Sequence, residues 1–130
     1  MAATYLDSSA LVKLAVREPG SGALRRYLRR RRPLMSSSLA RAEVLRALLP
    51  GGEPALAAGR RVLSSVDLVR INDAVLNQAG TLSPVELRSL DAIHLATAGR
   101  IGADLAEIVT YDERMAAAAR SMGYKVSSPS

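Results

Sequence analysis

Thr4-Tyr5-Leu6-Asp7-Ser8-Ser9-Ala10-Leu11-Val12-Lys13-Leu14-Ala15 changes its period midway. Thr4, Tyr5 and Leu6 form a short β-type run, whereas Leu11, Val12, Leu14 and Ala15 recur as on one face of a helix. Asp7, Ser8 and Ser9 lie between them, and these residue types cap helix N-termini. The stretch predicts strand, cap and helix, with an Asp at the carboxyl end of the strand.

The alternation continues outward. Pro19-Gly20 breaks the first helix, and Ala23, Leu24, Tyr27 and Leu28 predict a second, which ends in Arg29-Arg30-Arg31-Arg32. Residues 33–36 suit a short strand, residues 39–49 a helix stopped by Pro50-Gly51-Gly52, and residues 54–63 another helix. Residues 66–71 alternate as a strand, and Asn72 or Asp73 caps a helix running through Gly80. From Leu87 to Ile101 the residues Leu90, Ile93, Thr97 and Ile101 share one helical face, and Gly102 closes the segment. Residues 108–111 read as a strand running into Asp112, residues 113–122 as an Ala-rich helix, and residues 124–127 as a last strand. Strands alternating with helices imply an α/β fold with a small, mainly parallel sheet flanked by helices.

The 130 residues suit a single domain over 1–130, with 127–130 expected to form a frayed tail. With 48% hydrophobic residues but four Tyr, no Phe and no Trp, the core must be built from Ala, Leu, Val and Ile. The absence of Cys excludes disulfides, thiolate nucleophiles and Cys-ligated metal sites. No apolar run is long enough for a membrane span and no signal core follows the N-terminus, so a cytoplasmic protein without membrane contact is expected. A net charge of +6 and a pI near 10.5 predict attraction to polyanions.

In parallel α/β sheets ligands collect beyond the carboxyl ends of the strands, where Asp7 and Asp112 fall. Either one alone is more readily read as a helix N-cap. Glu43 lies within the apolar stripe Ala40, Val44, Ala47, Leu48, where an unpaired charge is expensive. It needs a metal or a cation, and a rim salt bridge to Arg41 or Arg46 is the alternative. Asp91 is surrounded by apolar residues in Leu90-Asp91-Ala92-Ile93-His94-Leu95-Ala96. A helix capped at Ser83 places Asp91 in the interior, where Asp is disfavoured; one capped at Ser89 places it in the first turn, where the helix dipole favours it. One explanation covers all four acids. Carboxylates converging in a wet cleft repel each other unless a hard cation such as Mg²⁺ or Mn²⁺ lies between them.

These motifs carry a resemblance to a known family. Tyr5-Leu6-Asp7-Ser8-Ser9-Ala10-Leu11-Val12-Lys13-Leu14 resembles the opening motif of PIN domains, particularly of VapC-type toxins. Ala42-Glu43-Val44 resembles the segment of the second acid, Leu90-Asp91-Ala92-Ile93-His94-Leu95-Ala96 that of the third, and Thr110-Tyr111-Asp112 that of the fourth. The order and spacing extend over nearly the whole chain. Ser8 stands where Thr is frequent, and Ser9 matches the small polar position beside the metal.

The resemblance implies a PIN fold, an acidic pocket for Mg²⁺ or Mn²⁺, endoribonuclease activity, neutralisation by a cognate antitoxin, and a homodimer. Hydrolysis of RNA without a nucleophilic side chain calls for metal ions. Asp7, Asp91 and Asp112 then serve as direct or water-mediated ligands, and Glu43 as a ligand or as the base orienting water. Ser9, Thr110 and Arg88 are supporting candidates, Arg88 through phosphate or an acid. His94, one turn after Asp91, suits a catalytic acid or a phosphate contact, but packing or a hydrogen bond with neighbours of the site is the favoured reading. The Arg29 to Arg32 run either guides RNA by charge or forms a solvated helix end.

Two other classes remain. A receiver-like phosphoacceptor domain would use Asp73, Thr110 and Lys125, but leaves Glu43 and Asp91 without purpose. A non-catalytic RNA-binding module needs the basic run but not the acids.

Overall fold

The computed structural model describes residues 2–130. The predicted alternation is present as β1 (Ala3–Leu6), α1 (Ser8–Ala15), α2 (Ser21–Leu28), β2 (Leu34–Ser37), α3 (Ala40–Leu48), α4 (Gly52–Ser64), β3 (Asp67–Val69), α5 (Asp73–Gly80), α6 (Ser89–Ile101), β4 (Leu105–Val109), α7 (Glu113–Ser121) and β5 (Val126–Ser127). The five strands form one parallel sheet in the order β3-β2-β1-β4-β5. The chain winds from β1 toward β3, then returns to place β4 on the other side of β1. The β1/β4 junction is therefore the topological switch point, where a ligand crevice opens beyond the strand ends.

Side-chain alternation along β1 and β4 divides the core into two layers. Leu6 and Val109 pack with Leu11, Leu24, Val44 and Leu56 from α1 to α4 on one face. Tyr5 and Ile108 pack with Leu95, Ala98, Met115, Ala118 and Ala119 from α6 and α7 on the other. Alanines let these last two helices lie close to the sheet. Gly59 does the same between α3 and α4, since a Cβ there would stand 2.6 Å from Leu48 Cδ1.

Two sequence expectations change. Leu90 shares its predicted face of α6 with Ile93, Thr97 and Ile101, but it is 48% exposed, while Ala92, His94, Leu95, Ala96, Thr97 and Ala98 are buried. The segment is apolar nearly all round, so periodicity does not select a face. Pro50 and Gly51 do end α3, in a 3₁₀ turn, Leu49–Gly51, that leads directly into α4. The tail expected to fray is engaged, because Ser127 pairs in β5, Ser128 Oγ donates to Thr110 O at 2.5 Å, and Pro129 O accepts from Tyr111 Oη at 2.6 Å.

No described helix is long and apolar enough to cross a membrane.

Candidate functional site

Asp7 occupies the switch point. It follows β1, is 4% exposed, and its backbone N–H donates to Val109 O across the β1/β4 junction. Its Oδ1 accepts from Ala10 N at 3.1 Å and from Ser9 Oγ at 2.6 Å, and its Oδ2 accepts from Thr110 Oγ1 at 2.5 Å. Capping α1 and standing at the switch point thus coexist in one side chain. Burial pushes the Asp7 carboxyl above its ordinary range, and the bonds from Ser9, Thr110 and Ala10 offset part of that push.

Glu43, in the first turn of α3, is half-buried and turns away from the Arg41 and Arg46 pairing that its sequence neighbours offered. Its Oε1 accepts from Ser8 Oγ at 2.5 Å and from His94 Nε2 at 2.7 Å. Burial pushes its carboxyl up, but the bonds from His94 and Ser8 outweigh burial and hold it below its ordinary value.

Asp91 stands in the first turn of α6, whose N-cap is Arg88 without a side-chain capping bond. Neither Ser83 nor Ser89 caps this helix. The Asp91 carboxyl is raised first by burial and then by the charge of Asp112, with smaller contributions from Asp7 and Glu43 partly offset by His94. Asp112 caps α7 through Met115 N at 3.0 Å and is exposed. Asp91 and Asp112 line an open pocket of about 400 Å³ together with Arg88, Glu113 and Arg114.

Asp7, Asp91 and Asp112 thus follow or face the carboxyl ends of the strands, Asp91 and Asp112 share one pocket, and Asp112, Asp7 and Glu43 each add to the push on Asp91 that burial begins. Among the described residues no three metal-binding side chains enclose a point tightly enough to hold an ion directly. The donor set nevertheless fits a hard cation. It consists of carboxylates, and Mg²⁺ commonly keeps several waters while touching one or two of them. Burial first, and then the charge of Asp112, raise Asp91, and such an ion would relieve the second of these.

Of the supporting candidates, Ser9 and Thr110 both donate to Asp7, and Ser9 Oγ also accepts from Tyr111 N at 3.0 Å. Arg88 lies at the rim of the pocket. Sequence reasoning missed Arg114 beside it, although its place two residues after Asp112, in the first turn of α7, marked it as a neighbour. It also missed Tyr5, whose hydroxyl pairs with His94 Nδ1 at 2.7 Å.

The Arg29 to Arg32 run lies elsewhere. Thr4 Oγ1 donates to Arg31 O and Thr4 N to Pro33 O, which places the run at the amino ends of the strands, opposite the acids. Arg31 stacks on Tyr27 and pairs with the buried Glu107 at 3.4 Å, while Arg32 donates to Ser65 O. The receiver-like arrangement is also absent: Asp73 follows the outermost strand, and β2 and β1 separate it from Thr110.

Comparison with known proteins agrees with this geometry. The family profile of the PIN domain matches residues 4–121. Ribonuclease VapC46 of Mycobacterium tuberculosis (strain ATCC 25618 / H37Rv) is 64% identical over 130 residues, covering 100% of both chains. Ribonuclease VapC47 of Mycobacterium tuberculosis (strain CDC 1551 / Oshkosh) is 37% identical and covers 96% of each chain. Among solved structures, that of Mycobacterium tuberculosis VapC20, described as a Sarcin-Ricin loop cleaving toxin, superposes with a TM-score of 0.72 over 93% of this chain and 95% of that one. At 18% identity that match speaks for the fold alone.

Proposed function

The chain belongs to the PIN-domain family, and from this we propose that it is a metal-dependent endoribonuclease that hydrolyses RNA phosphodiester bonds as the toxin of a toxin–antitoxin pair. The observation that carries the reading is the placement of Asp7 at the β1/β4 switch point, its carboxylate held by Ser9 and Thr110, with Asp91 and Asp112 lining one open pocket at the carboxyl ends of the strands. A non-catalytic RNA-binding surface has no use for that arrangement. The ribonuclease names of the full-length relatives support the same activity.

Asp7, Asp91 and Asp112 would hold Mg²⁺ or Mn²⁺, directly or through water. The ion would supply Lewis acidity toward the phosphate and lower the pKa of nearby water. Ser9 and Thr110 fix the Asp7 carboxylate by donating to both of its oxygens. Glu43, held in place by Ser8 and His94, would orient an attacking water or join the ligand set. Arg88 and Arg114 flank the acidic pocket, where guanidinium groups match phosphate oxygens. They would bring a polyanion toward carboxylates that would otherwise repel it.

A cognate antitoxin and a homodimer belong to this reading. Co-purification with the product of a neighbouring small gene tests the former, and light scattering of the purified chain tests the latter. The activity itself is tested by incubating the protein with total cellular RNA in Mg²⁺, in Mn²⁺ and in chelator, then mapping fragment ends. Fragments with discrete ends in either ion and none in chelator are expected. Cleavage indifferent to chelator counts against the metal site, and absence of cleavage in both ions against the nuclease.

A further inference from the structure

His94 has no assigned part in hydrolysis, yet its surroundings are more specific than packing requires. It is 2% exposed, and both ring nitrogens are engaged. Nδ1 meets Tyr5 Oη at 2.7 Å, and Nε2 meets Glu43 Oε1 at 2.7 Å, with Ser8 Oγ at 3.4 Å. The Tyr5 ring stands edge-on to the imidazole, with centroids 5.9 Å apart and planes at 74°. Burying an imidazole and ordering two partners is costly when a Leu would fill the space.

The link also crosses the molecule. Glu43 belongs to α3, whose Val44 packs on one face of the sheet, and His94 to α6, whose Leu95 packs on the other. The pair joins the two layers at the carboxyl edge, beside Asp7 and Asp91.

We propose that His94 is a positioning residue that fixes the Glu43 carboxylate in the hydrolytic site, with Tyr5 steadying the imidazole from behind. The inference rests on Glu43 belonging to that site. A carboxylate has no hydrogen to give, so Nε2 must be the donor whether the ring is neutral or charged. Tyr5 serves both states, because its hydroxyl can donate to a bare Nδ1 or accept from Nδ1–H. Glu43 Oε1 then accepts from both Ser8 and His94, which would leave Oε2 to serve a cation or a water. The arrangement is that of a metal-site carboxylate oriented by its outer partners.

The test compares the parent with His94→Gln, which keeps an N–H at the reach of Nε2, and His94→Leu, which keeps the bulk and loses the donor. Mn²⁺ affinity is read by calorimetry and RNA cleavage by steady-state kinetics, on variants that melt cooperatively. His94→Leu is expected to lose about 10–100-fold in Mn²⁺ affinity and in kcat while KM holds. His94→Gln is expected to recover most of both. Equal losses in the two variants, or a folded His94→Leu protein that behaves as the parent, overturn the assignment. His94 is the chain's only histidine, so its imidazole ¹⁵N signals are unambiguous. A protonated Nε2 across the neutral range, shifted by Glu43→Gln, supports the proposal; a bare Nε2, or one indifferent to Glu43→Gln, overturns it. Where His94→Leu does not fold, the spectrum decides whether His94 holds Glu43; where the parent shows neither Mn²⁺ binding nor cleavage, the positioning role falls with the nuclease reading, and the spectrum still reports whether the bond exists. A failed nuclease reading is thereby told apart from a failed role for His94.

Discussion

Thr110 Oγ1 donates to Asp7 Oδ2 at 2.5 Å, joining the ends of β1 and β4 across 103 residues of sequence. The bond forms because the sheet reverses its winding at this junction, so two strands far apart in the chain end side by side. A hydroxyl there compensates part of the cost of burying a carboxylate.

Thr110→Val keeps the shape of the side chain and removes this donor. It also removes the acceptor for Asp112 N, 3.1 Å away. The variant is expected to lose about 1–3 kcal/mol of stability, the range for a buried polar group left unpaired. Cleavage should fall with it. Thr110→Ser should restore both, and a Thr110→Val protein with parent stability and activity would show that the bond contributes nothing.

Much of this site was legible in the sequence because each acid sits where a local signal points: Asp7 and Asp112 after β-type runs, Glu43 on an apolar stripe, Asp91 in a hydrophobic segment. Their roles as helix caps and as site residues looked like alternatives, and for Asp7 and Asp112 the capping geometry sits alongside the site. Pairings were less legible. Glu43 meets His94 rather than Arg41 or Arg46, since α3 and α6 come from opposite layers and meet only at the sheet edge. The position of the basic run follows from topology alone: a run that immediately precedes a parallel strand lies at the amino edge, whatever its charge suggests.

Asp7→Asn should abolish cleavage while leaving the fold intact, because Asn still accepts from Ala10 N and remains a good cap. Without divalent ions the variant should melt above the parent at neutral pH. Burial holds the native Asp7 carboxyl above its ordinary value, so an ionised Asp7 costs stability there. Adding Mn²⁺ should raise the melting temperature of the parent more than that of the variant. An active Asp7→Asn protein, purified free of parent enzyme, sinks the metal-nuclease assignment.

The acids give the metal-free protein opposing responses to pH. Asp7 and Asp91 are raised in the folded state, so their contribution is present at low pH and lost as pH rises through the folded values. Glu43 is lowered, so its contribution is present above its unfolded value and lost as pH falls through the folded one. In chelator, thermal melting should therefore be highest under mildly acidic conditions. Glu43→Gln should remove part of the fall on the acid side, and Mn²⁺ should lift the neutral side more than the acid side, because metal and protons compete for the same oxygens. A profile in chelator that rises steadily toward neutral pH contradicts the raised Asp7 and Asp91.

Arg31 should matter for stability in a way that Arg29 and Arg30 do not. Its guanidinium pairs with Glu107, which is 4% exposed and also accepts from Tyr27 Oη at 2.6 Å. Arg31→Gln leaves that buried carboxylate with less compensation, at an expected cost of about 1–2 kcal/mol, below that of breaking a fully buried pair because Arg31 itself is partly exposed. Arg29→Gln and Arg30→Gln should stay within about 0.5 kcal/mol of the parent. Urea melts of the three single variants measure the difference directly.

The salt dependence of RNA binding separates the two basic regions. Arg88 and Arg114 border the acidic pocket, whereas Arg29 and Arg30 lie at the opposite edge of the sheet. Each phosphate contact contributes ~0.7 to the slope of log K against log salt for a single strand. Arg88→Gln combined with Arg114→Gln should flatten that slope by about one such contribution per side chain, with affinity falling alike for different RNA sequences. Binding is best measured on the Asp7→Asn background, so that substrate survives the titration. Arg29→Gln combined with Arg30→Gln should leave the slope nearly unchanged, as a solvated helix end would. If instead this second pair flattens the slope and the first does not, RNA approaches across the amino edge, and the two guanidiniums beside Asp91 and Asp112 are not phosphate contacts.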